Sequence, residues 1–270
     1  MTQKRIIASV VVLTAVGIAI YGIKNTNRMP PKIFRDSFNI PMTLQETNSM
    51  ATTTSPWRLS SGGMFFSRDG IAQTLQGDLE ESSPWHQAYA ESNPTDTDGG
   101  VHPQNIFRLQ TIGTWKNFTQ EAYFRVDHNN LSNSPNRNSS NGLFFFNRAK
   151  NQNNLYYTGL RVDGLAVIKK KVNGEYVTLV EKKLFDGEYD RIDNPNVLPQ
   201  NTWMGLKSEV RDAPGNTVNI QLFIADQTGN WKLVAEATDS GDPVFTEPGY
   251  AGIRIDFIDV SFEGYSIEGD

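Results

Sequence analysis

The sequence contains no cysteine. This absence excludes a disulfide, a thiolate nucleophile, a cysteine-ligated metal site and a lipoprotein anchor, which requires a cysteine. Histidine is scarce too, with three residues, His86, His102 and His128, in separate polar segments. Surface histidines are the simplest interpretation of that scatter. The chain also shows no long amphipathic helix and no internal repeat, so its stability must come from packing of another kind.

A charge-free apolar run, IIASVVVLTAVGIAIYGI, occupies residues 6–23 and follows Lys4 and Arg5. Its length is at the short end for a membrane span and long for the core of a signal peptide. No Ala-x-Ala site follows it, which favours an uncleaved anchor over a cleaved leader. We therefore expect residues 1–28 to be a signal anchor or signal peptide with a short polar linker. Residues 29–270 are then an exported domain, either on the outer face of a membrane or secreted.

The exported part of the chain is acidic. Without residues 1–28 it holds 21 basic and 30 acidic residues, a balance of −9. Such a surface repels nucleic acid and anionic lipid, so we expect no nucleic-acid partner. A locally basic face on this acidic domain is therefore more notable than the same face would be on a basic domain.

Beyond the linker, short alternating segments recur between turns rich in Gly, Asn, Asp and Pro. The strongest hairpin signal is Asn173-Gly174 between two alternating segments, and Asp163-Gly164 marks another just before it. Regularly spaced short strands predict an all-β, two-sheet antiparallel jelly-roll sandwich. Three longer polar segments, residues 77–105, 127–141 and 186–201, are expected to rim a binding groove, because long loops in compact domains are usually functional or mobile.

Three predicted strands place cations and phenols opposite their core-facing residues, because side chains alternate with a period of two. Aromatic faces stack on sugar rings, and Arg forks match carboxylate or sulfate. The alternative for each strand is a solvated surface whose Lys and Arg stems cover apolar neighbours. We interpret the three strands together as one surface for an anionic polysaccharide, formed by Glu121, Tyr123, Arg125, Tyr157, Arg161, Lys169 and Lys171.

Several segments resemble the concanavalin A-like lectin/glucanase superfamily. Residues 203–211, WMGLKSEVR, resemble its W-x-x-L-K-V-E-V strand, and residues 249–255 and 260–267 resemble its closing strands. Residues 142–147 and 156–164 resemble its central strands. The resemblance covers about residues 105–268 and implies a jelly-roll fold. It does not imply one activity, because lectin-like modules, glycosidases and polysaccharide lyases share that fold.

The sequence bears differently on two kinds of catalysis. The E-x-D-x-x-E strand of the superfamily's glucanases is missing, so the paired carboxylates of a glycosidase are not expected. A lyase acting on uronates needs a base and a group that neutralises the carboxylate. Tyr157 and His102 are the catalytic candidates for that reaction, with Asn147 added to the substrate-binding set.

Four carboxylates are candidates for cation sites. Asp96 and Asp98 are spaced by two beside glycines, an arrangement found in Ca²⁺ loops and equally in plain turns. The family resemblance implies a structural cation near the chain ends, for which Asp36 and Asp259 are candidates. No other cofactor is expected.

These observations favour an exported, membrane-tethered domain that binds a polysaccharide, most readily an anionic one, on the concave sheet of a jelly roll. The first alternative is a polysaccharide lyase that cleaves a uronate-containing glycan by β-elimination. The second is a structural or adhesive surface module without a glycan ligand.

Overall fold

The computed structural model describes residues 32–47, 55–226 and 228–270. Within them the chain forms sixteen strands, one α-helix and one 3-10 turn. The helix α1 (Pro84–Ser92) and the turn Pro103–Asn105 both lie in the segment between β5 and β6. In chain order the strands are β1 (Lys32–Asp36), β2 (Met42–Gln45), β3 (Trp57–Ser61), β4 (Met64–Arg68), β5 (Ile71–Thr74), β6 (Ile106–Trp115), β7 (Phe118–Asn129), β8 (Gly142–Asn151), β9 (Asn154–Arg161), β10 (Leu165–Val172), β11 (Glu175–Lys183), β12 (Met204–Ala213), β13 (Thr217–Ala225), β14 (Lys232–Asp239), β15 (Gly249–Asp256) and β16 (Ile258–Gly269).

The strands of the described residues form two antiparallel sheets. The nine-stranded sheet has the order β14-β13-β12-β7-β16-β5-β4-β2, and β1 also pairs with β16. The seven-stranded sheet has the order β11-β10-β9-β8-β15-β6-β3. The predicted all-β, two-sheet sandwich is therefore confirmed. The apolar run at residues 6–23 lies outside the described residues, among which no helix is long and apolar enough to cross a membrane.

The hairpin turns follow the sequence signals. Asn173 and Gly174 both have positive φ, 51° and 97°, as a two-residue turn between β10 and β11 requires. Gly164, with φ 83°, turns the chain between β9 and β10. These two turns make β9, β10 and β11 consecutive neighbours in the seven-stranded sheet.

The main core lies between the two sheets and is filled by alternate residues of each strand. Its largest fully buried side chains are aromatic and include Trp57, Phe124, Phe145 and Tyr265. A second, smaller apolar cluster forms around the outward-pointing side chains of β8, β9 and β10. It consists of Phe144, Phe146, Ala149, Leu155, Tyr157 and Val167. All six residues are buried, so other side chains cover this part of the outer face.

The predicted basic and aromatic face is not one surface, and that expectation is wrong. β7, which carries Glu121, Tyr123 and Arg125, lies between β12 and β16 in the nine-stranded sheet. β9 and β10 lie in the other sheet. Alternation shows which way a side chain points from its own strand, but it does not show to which sheet that strand belongs.

Candidate ligand-binding groove

A row of outward side chains crosses the seven-stranded sheet from β6 to β10. Strand register places Gln110 beside Gly252, Gly252 beside Phe146, Phe146 beside Tyr157, and Tyr157 beside Lys169. Neighbouring strands are about 4.8 Å apart, so such a row extends roughly 20 Å. The row therefore provides a continuous track across the sheet.

Two phenylalanine rings lie over glycines of the neighbouring strands and form the floor of this track. A Cβ atom on Gly252 would lie 2.6 Å from Cζ of Phe146, and one on Gly159 would lie 2.7 Å from Cδ1 of Phe144. Both distances are shorter than real Cβ contacts allow. A Cβ on either glycine would also lie within 2.2 Å of a backbone carbonyl oxygen of a neighbouring strand, so the glycines allow both the backbone and the rings to approach closely. The two buried rings form the aromatic floor.

Two adjoining cavities lie along the track, and Arg108 and Tyr157 line both. The smaller, of about 350 Å³, also contacts Phe146 and Tyr250. The larger, of about 490 Å³, also contacts Lys169. We call the two cavities together the groove. Pockets of this size, lined by aromatic groups with a few polar ones, are typical ligand sites.

The groove is positively charged although the protein as a whole carries a net charge of −5. Its acidic lining residues are Asp96 and Asp256. Its cationic lining residues outnumber them and are Arg58, Arg108, Lys150, Arg161, Lys169 and Arg254.

Arg254 lines the larger cavity and is held on three sides. Its Nε donates to Asp256 at 2.9 Å, and its Nη1 donates to the hydroxyl of Tyr176 at 2.6 Å. Its guanidinium carbon lies 5.0 Å from the ring centroid of Tyr157, within cation–π distance. These contacts fix the orientation of the guanidinium before any ligand binds.

Lys169 is the most unusual cation of the groove, because its side chain is 9% exposed. Its Nζ lies 5.4 Å from the ring centroid of Phe144 and 5.8 Å from that of Tyr176. No carboxylate of the described residues forms an ion pair with it. Burial, together with the nearby charges of Arg161 and Arg254, lowers its pKa to about 8.

Two of the predicted loops form the rim of the larger cavity, and hydrogen bonds tie them together. Ser134 and Asn136 donate to the Asp96 carboxylate at 2.6 and 2.9 Å, and Ser132 donates to Asp98 at 2.5 Å. Partial burial acts to raise the pKa of Asp96, but these hydrogen bonds hold it below its usual range. The rim is therefore built from the segments at residues 77–105 and 127–141. The segment at residues 186–201 does not line the groove, but Arg191 donates to the carbonyl of Ser134.

The predicted ligand-binding residues on β9 and β10 lie in or beside the groove. Tyr157, Arg161 and Lys169 line it. Arg161 is already paired with Asp163, and with Glu181 at 3.2 Å, so its charge is largely neutralised. Lys171 lies beyond the lining residues, with Nζ 5.0 Å from the Tyr176 ring.

The predicted residues on β7 lie on the outer surface of the other sheet. The ring of Tyr123 packs near Trp231, with centroids 5.9 Å apart. Arg125 donates from Nε to Asp127 at 2.6 Å and covers the ring of Trp203. Glu121 accepts a hydrogen bond from Ser266. None of these contacts places Glu121, Tyr123 or Arg125 in the groove.

Two further expected residues are separated from the groove. Asn147 is fully buried between the sheets, where it accepts from Gln120 at 2.8 Å and from Ser208 at 3.2 Å. It cannot contact a ligand there, which corrects its assignment to substrate binding. His102 is not among the residues that line the groove, and its ring nitrogens lie 2.9 Å from Asp98 and 2.8 Å from Asp78. The structure thus does not bring His102 together with Tyr157.

The four carboxylates expected to bind a cation each accept hydrogen bonds from the protein. Asp96 and Asp98 bind the hydroxyls described above. The Asp259 carboxylate accepts from the backbone N–H of Gly77 and the side-chain amide of Asn130, both at 2.7 Å. Asp36 accepts from Trp57 Nε1 at 2.8 Å.

Each of these carboxylates is therefore bound by donors of the protein itself, and a structural Ca²⁺ stays a prediction. Burial raises the pKa of Asp259. Within the described residues, no three His, Asp or Glu side chains are grouped to hold a metal ion.

The sequence interpretation missed Arg108, Arg254 and the two floor phenylalanines. The sequence does indicate the direction of Arg254, because it lies between two isoleucines, Ile253 and Ile255. Both isoleucines point into the core, so Arg254 must point away from it. Arg108, between Phe107 and Leu109, follows the same rule. The pairing of β15 with β6 and β8, which joins strands distant in sequence, could not be deduced from alternation.

Solved structures with similar folds include carbohydrate-binding proteins. The carbohydrate-binding module CBM66 from Bacillus subtilis aligns with a TM-score of 0.50 and 15% identity, over 80% of this chain and 96% of the module. A β-1,3-1,4-glucanase (lichenase) from a mouse hindgut metagenome aligns with a TM-score of 0.47 and 9% identity, over 88% of this chain and 98% of the enzyme. No family model and no curated protein matches the chain. The alignment with the carbohydrate-binding module confirms the expected jelly-roll fold, and at 15% identity it shows the fold alone.

Proposed function

We propose that the protein binds a polysaccharide in the groove of the seven-stranded sheet, and that the polysaccharide is anionic. The observation that carries this proposal is the combination of an aromatic floor, Phe144 and Phe146, with an excess of cationic lining residues. Guanidinium groups bind carboxylate or sulfate. The floor rings are 3% and 5% exposed, so they form the apolar base on which the cations lie. The fold that this chain shares with a carbohydrate-binding module is consistent with this function.

The shape of the groove favours a chain of sugars over a single one. Its two cavities adjoin at Arg108 and Tyr157, and the row of outward side chains continues across five strands. A linear polymer could contact both cavities at once. Arg108 then lies where two adjacent sugar units meet.

The proposal is tested by affinity electrophoresis of residues 29–270 in gels that contain acidic or neutral polysaccharides. We expect retardation by at least one acidic polysaccharide and a clear loss of retardation in Arg108→Gln. Lys232→Gln is the control, because Lys232 is exposed on β14 of the other sheet and loses the same charge. Unchanged migration of the parent protein in every gel would favour a structural or adhesive module without a glycan ligand.

A lyase is the second candidate, favoured by one observation. Tyr157 lies beside Lys169 and Arg254 in the groove, so a phenol and cations that could neutralise a uronate are adjacent. The ionised Tyr157 oxygen would take the proton from the carbon next to the uronate carboxylate. The electron pair of that C–H bond would form the double bond as the bond to the glycosidic oxygen breaks, and Tyr157 would return the proton to that oxygen. The test is ultraviolet absorbance of the unsaturated product during incubation with polyuronates. Absorbance that grows with the parent protein and not with Tyr157→Phe would establish the lyase.

We also propose that the domain is exported and tethered to a membrane by residues 6–23, whose sequence is apolar and uncharged. Fractionation of cells expressing the full chain should place it in the membrane fraction. A chain that begins at residue 29 should be soluble. Recovery of the full chain in the soluble fraction, with its amino terminus shortened, would indicate a cleaved signal peptide instead.

A further inference from the structure

Lys169 and Lys170 are consecutive in sequence, and their side chains point to opposite faces of β10. Lys170 points into the core, where its Nζ donates to both oxygens of Asp239 at 2.9 and 3.0 Å and to the carbonyls of Gly241 and Pro243. Lys169 points to the groove and has no such set of acceptors. A nearly buried ammonium is costly unless it is paired. Within the described residues, the Lys169 ammonium therefore lacks the paired negative charge that its burial requires.

The charged groups that face Lys169 explain why it has no acidic partner. From β9 and the turn that follows come Arg161 and Asp163, which pair with each other. From β15 come Arg254 and Asp256, which also pair, at 2.8 Å. Each nearby carboxylate is thus used by an arginine.

The remaining neighbours of Lys169 do not supply a negative charge either. β11 contributes the phenol of Tyr176, whose hydroxyl accepts from Arg254. Tyr157 lies opposite Lys169 on β9, and Lys171 on the same strand adds a cation. The groups around Nζ therefore leave a local excess of positive charge that faces the larger cavity.

We propose that Lys169 and Arg254 form an anion subsite in the larger cavity, which binds an acidic substituent of a sugar, carboxylate or sulfate. This inference rests on the proposed polysaccharide-binding function and assigns the charge recognition to one place in the groove. Arg254 donates from Nε and Nη1 to protein groups, and Nη2 has no hydrogen-bond partner among the described residues. The anion would accept from Nη2 of Arg254 and from Nζ of Lys169.

The subsite predicts that binding is linked to protonation. The pKa of Lys169 in the free protein is about 8, and a bound anion favours the charged ammonium and raises it. At pH values between about 8 and the raised pKa, the free protein is partly neutral at Lys169 and the complex is charged. The complex therefore forms with uptake of a proton, and affinity falls as the pH rises above about 8.

The experiment is isothermal titration calorimetry of residues 29–270 with three probes. These are polygalacturonate, the same polymer with its carboxylates reduced to alcohols, and dextran sulfate. The variants are Lys169→Met, Lys169→Arg and the control Lys232→Met. For the parent protein we expect binding to polygalacturonate or dextran sulfate and much weaker binding to the carboxyl-reduced polymer. Which of the two acidic polymers binds more tightly identifies the substituent.

Lys169→Met should weaken binding of the preferred acidic probe by about 10- to 100-fold, as expected for loss of a hydrogen bond between charged groups. Lys232→Met should bind like the parent. Lys169→Arg should retain affinity and lose the decline above pH 8, because arginine does not titrate there. Enthalpies measured for the parent at pH 8.5 in buffers of different ionisation enthalpy should differ, which reports the proton uptake directly.

The outcomes separate the subsite from the function. If the parent protein binds none of the three probes, the proposed function fails with its subsite. If the parent binds an acidic probe and Lys169→Met binds it equally well, the function stands and the subsite is wrong. Equal binding of the carboxyl-reduced and original polymers, with no binding of dextran sulfate, also overturns the subsite. Circular dichroism of each variant confirms that a loss of binding is not a loss of folding.

Discussion

Tyr157 and Lys169 lie directly opposite each other on neighbouring strands, and both side chains line the larger cavity of the groove. One step along the chain from each, Tyr156 and Lys170 point the other way and meet at Asp239, to which the Tyr156 hydroxyl donates at 2.6 Å. A tyrosine and a lysine thus share a carboxylate inside the sandwich. On the outer face, the same two residue types share no carboxylate of the described residues. The difference between them is a carboxylate that pairs with the lysine, because Asp256 in the groove pairs with Arg254 and Asp96 is bound by Ser134 and Asn136.

The adjacent lysines should respond in opposite ways to removal of their charge. Lys170→Met leaves Asp239 buried with the phenol of Tyr156 as a remaining donor, and we expect it to lower the free energy of unfolding by about 3–5 kcal/mol. Lys169→Met removes a nearly buried charge without breaking an ion pair. We expect it to raise the free energy of unfolding by about 1–3 kcal/mol at pH 7. Urea denaturation monitored by tryptophan fluorescence measures both changes.

Each lysine variant serves as the control for the other, because they differ by one position on the same strand. A fall in stability for Lys169→Met similar to that for Lys170→Met would mean that Lys169 also has a structural partner. The groove could not then be described as carrying an uncompensated charge.

The stability of the parent protein should rise with pH between about 8 and 10 because of Lys169. Its folded-state pKa of about 8 is below the ordinary value of 10.5, so in this window the unfolded chain holds a proton that the folded protein has lost. The unfolded chain binds more protons, and the free energy of unfolding therefore increases with pH. Below about pH 8 both states are protonated and the folded state carries the full penalty of the buried charge.

This contribution is isolated by subtracting the pH profile of Lys169→Met from that of the parent. The subtraction matters because burial and a hydrogen bond with Glu46 raise the pKa of Tyr89 to about 12, which lowers stability as the pH rises above 10. We expect the difference between the two proteins to shrink from pH 8 to pH 10. A constant difference over that range would contradict the lowered pKa of Lys169.

Much of the fold could be predicted because its strands obey local rules. The Asn173-Gly174 turn fixes the β10–β11 hairpin, and the alternation around Tyr157 and Lys169 identifies their outward direction correctly. These features depend on residues close together in sequence. They require no knowledge of which strands meet in space.

The composition of the site could not be predicted to the same extent, because it depends on pairing between distant strands. Arg254 reaches Tyr157 because β15 pairs with β8, which is about a hundred residues earlier in the chain. Arg125 has the same alternating pattern as Arg161 but lies in the other sheet. Asn147 illustrates a different limit, because a polar residue in an alternating strand can point inward when other buried polar groups satisfy it.

Asn147 should be essential for stability and unimportant for ligand affinity. In Asn147→Ala the side-chain amide of Gln120 keeps its bond to the carbonyl of Phe146 but loses Asn147, and the buried hydroxyl of Ser208 loses its acceptor. Buried donors left without partners cost about 1–3 kcal/mol each. We expect a decrease of about 2–4 kcal/mol in the free energy of unfolding, measured in urea. Affinity of the folded variant for a bound polysaccharide, measured well below its melting temperature, should equal that of the parent.

Calcium should not be needed to hold the rim of the groove, because its aspartates are already bound by hydroxyl and amide donors. The Asp96 carboxylate accepts from Ser134 and Asn136, and Asp98 accepts from Ser132. The melting temperature of residues 29–270 should therefore be the same in excess Ca²⁺ and in a chelator. Ser134→Ala should lower it by a few degrees, since loss of a hydrogen bond to a charged group costs about 1.5–3 kcal/mol. A melting temperature that falls on chelation in the parent, and not in Asp96→Asn, would show that Asp96 binds a cation after all.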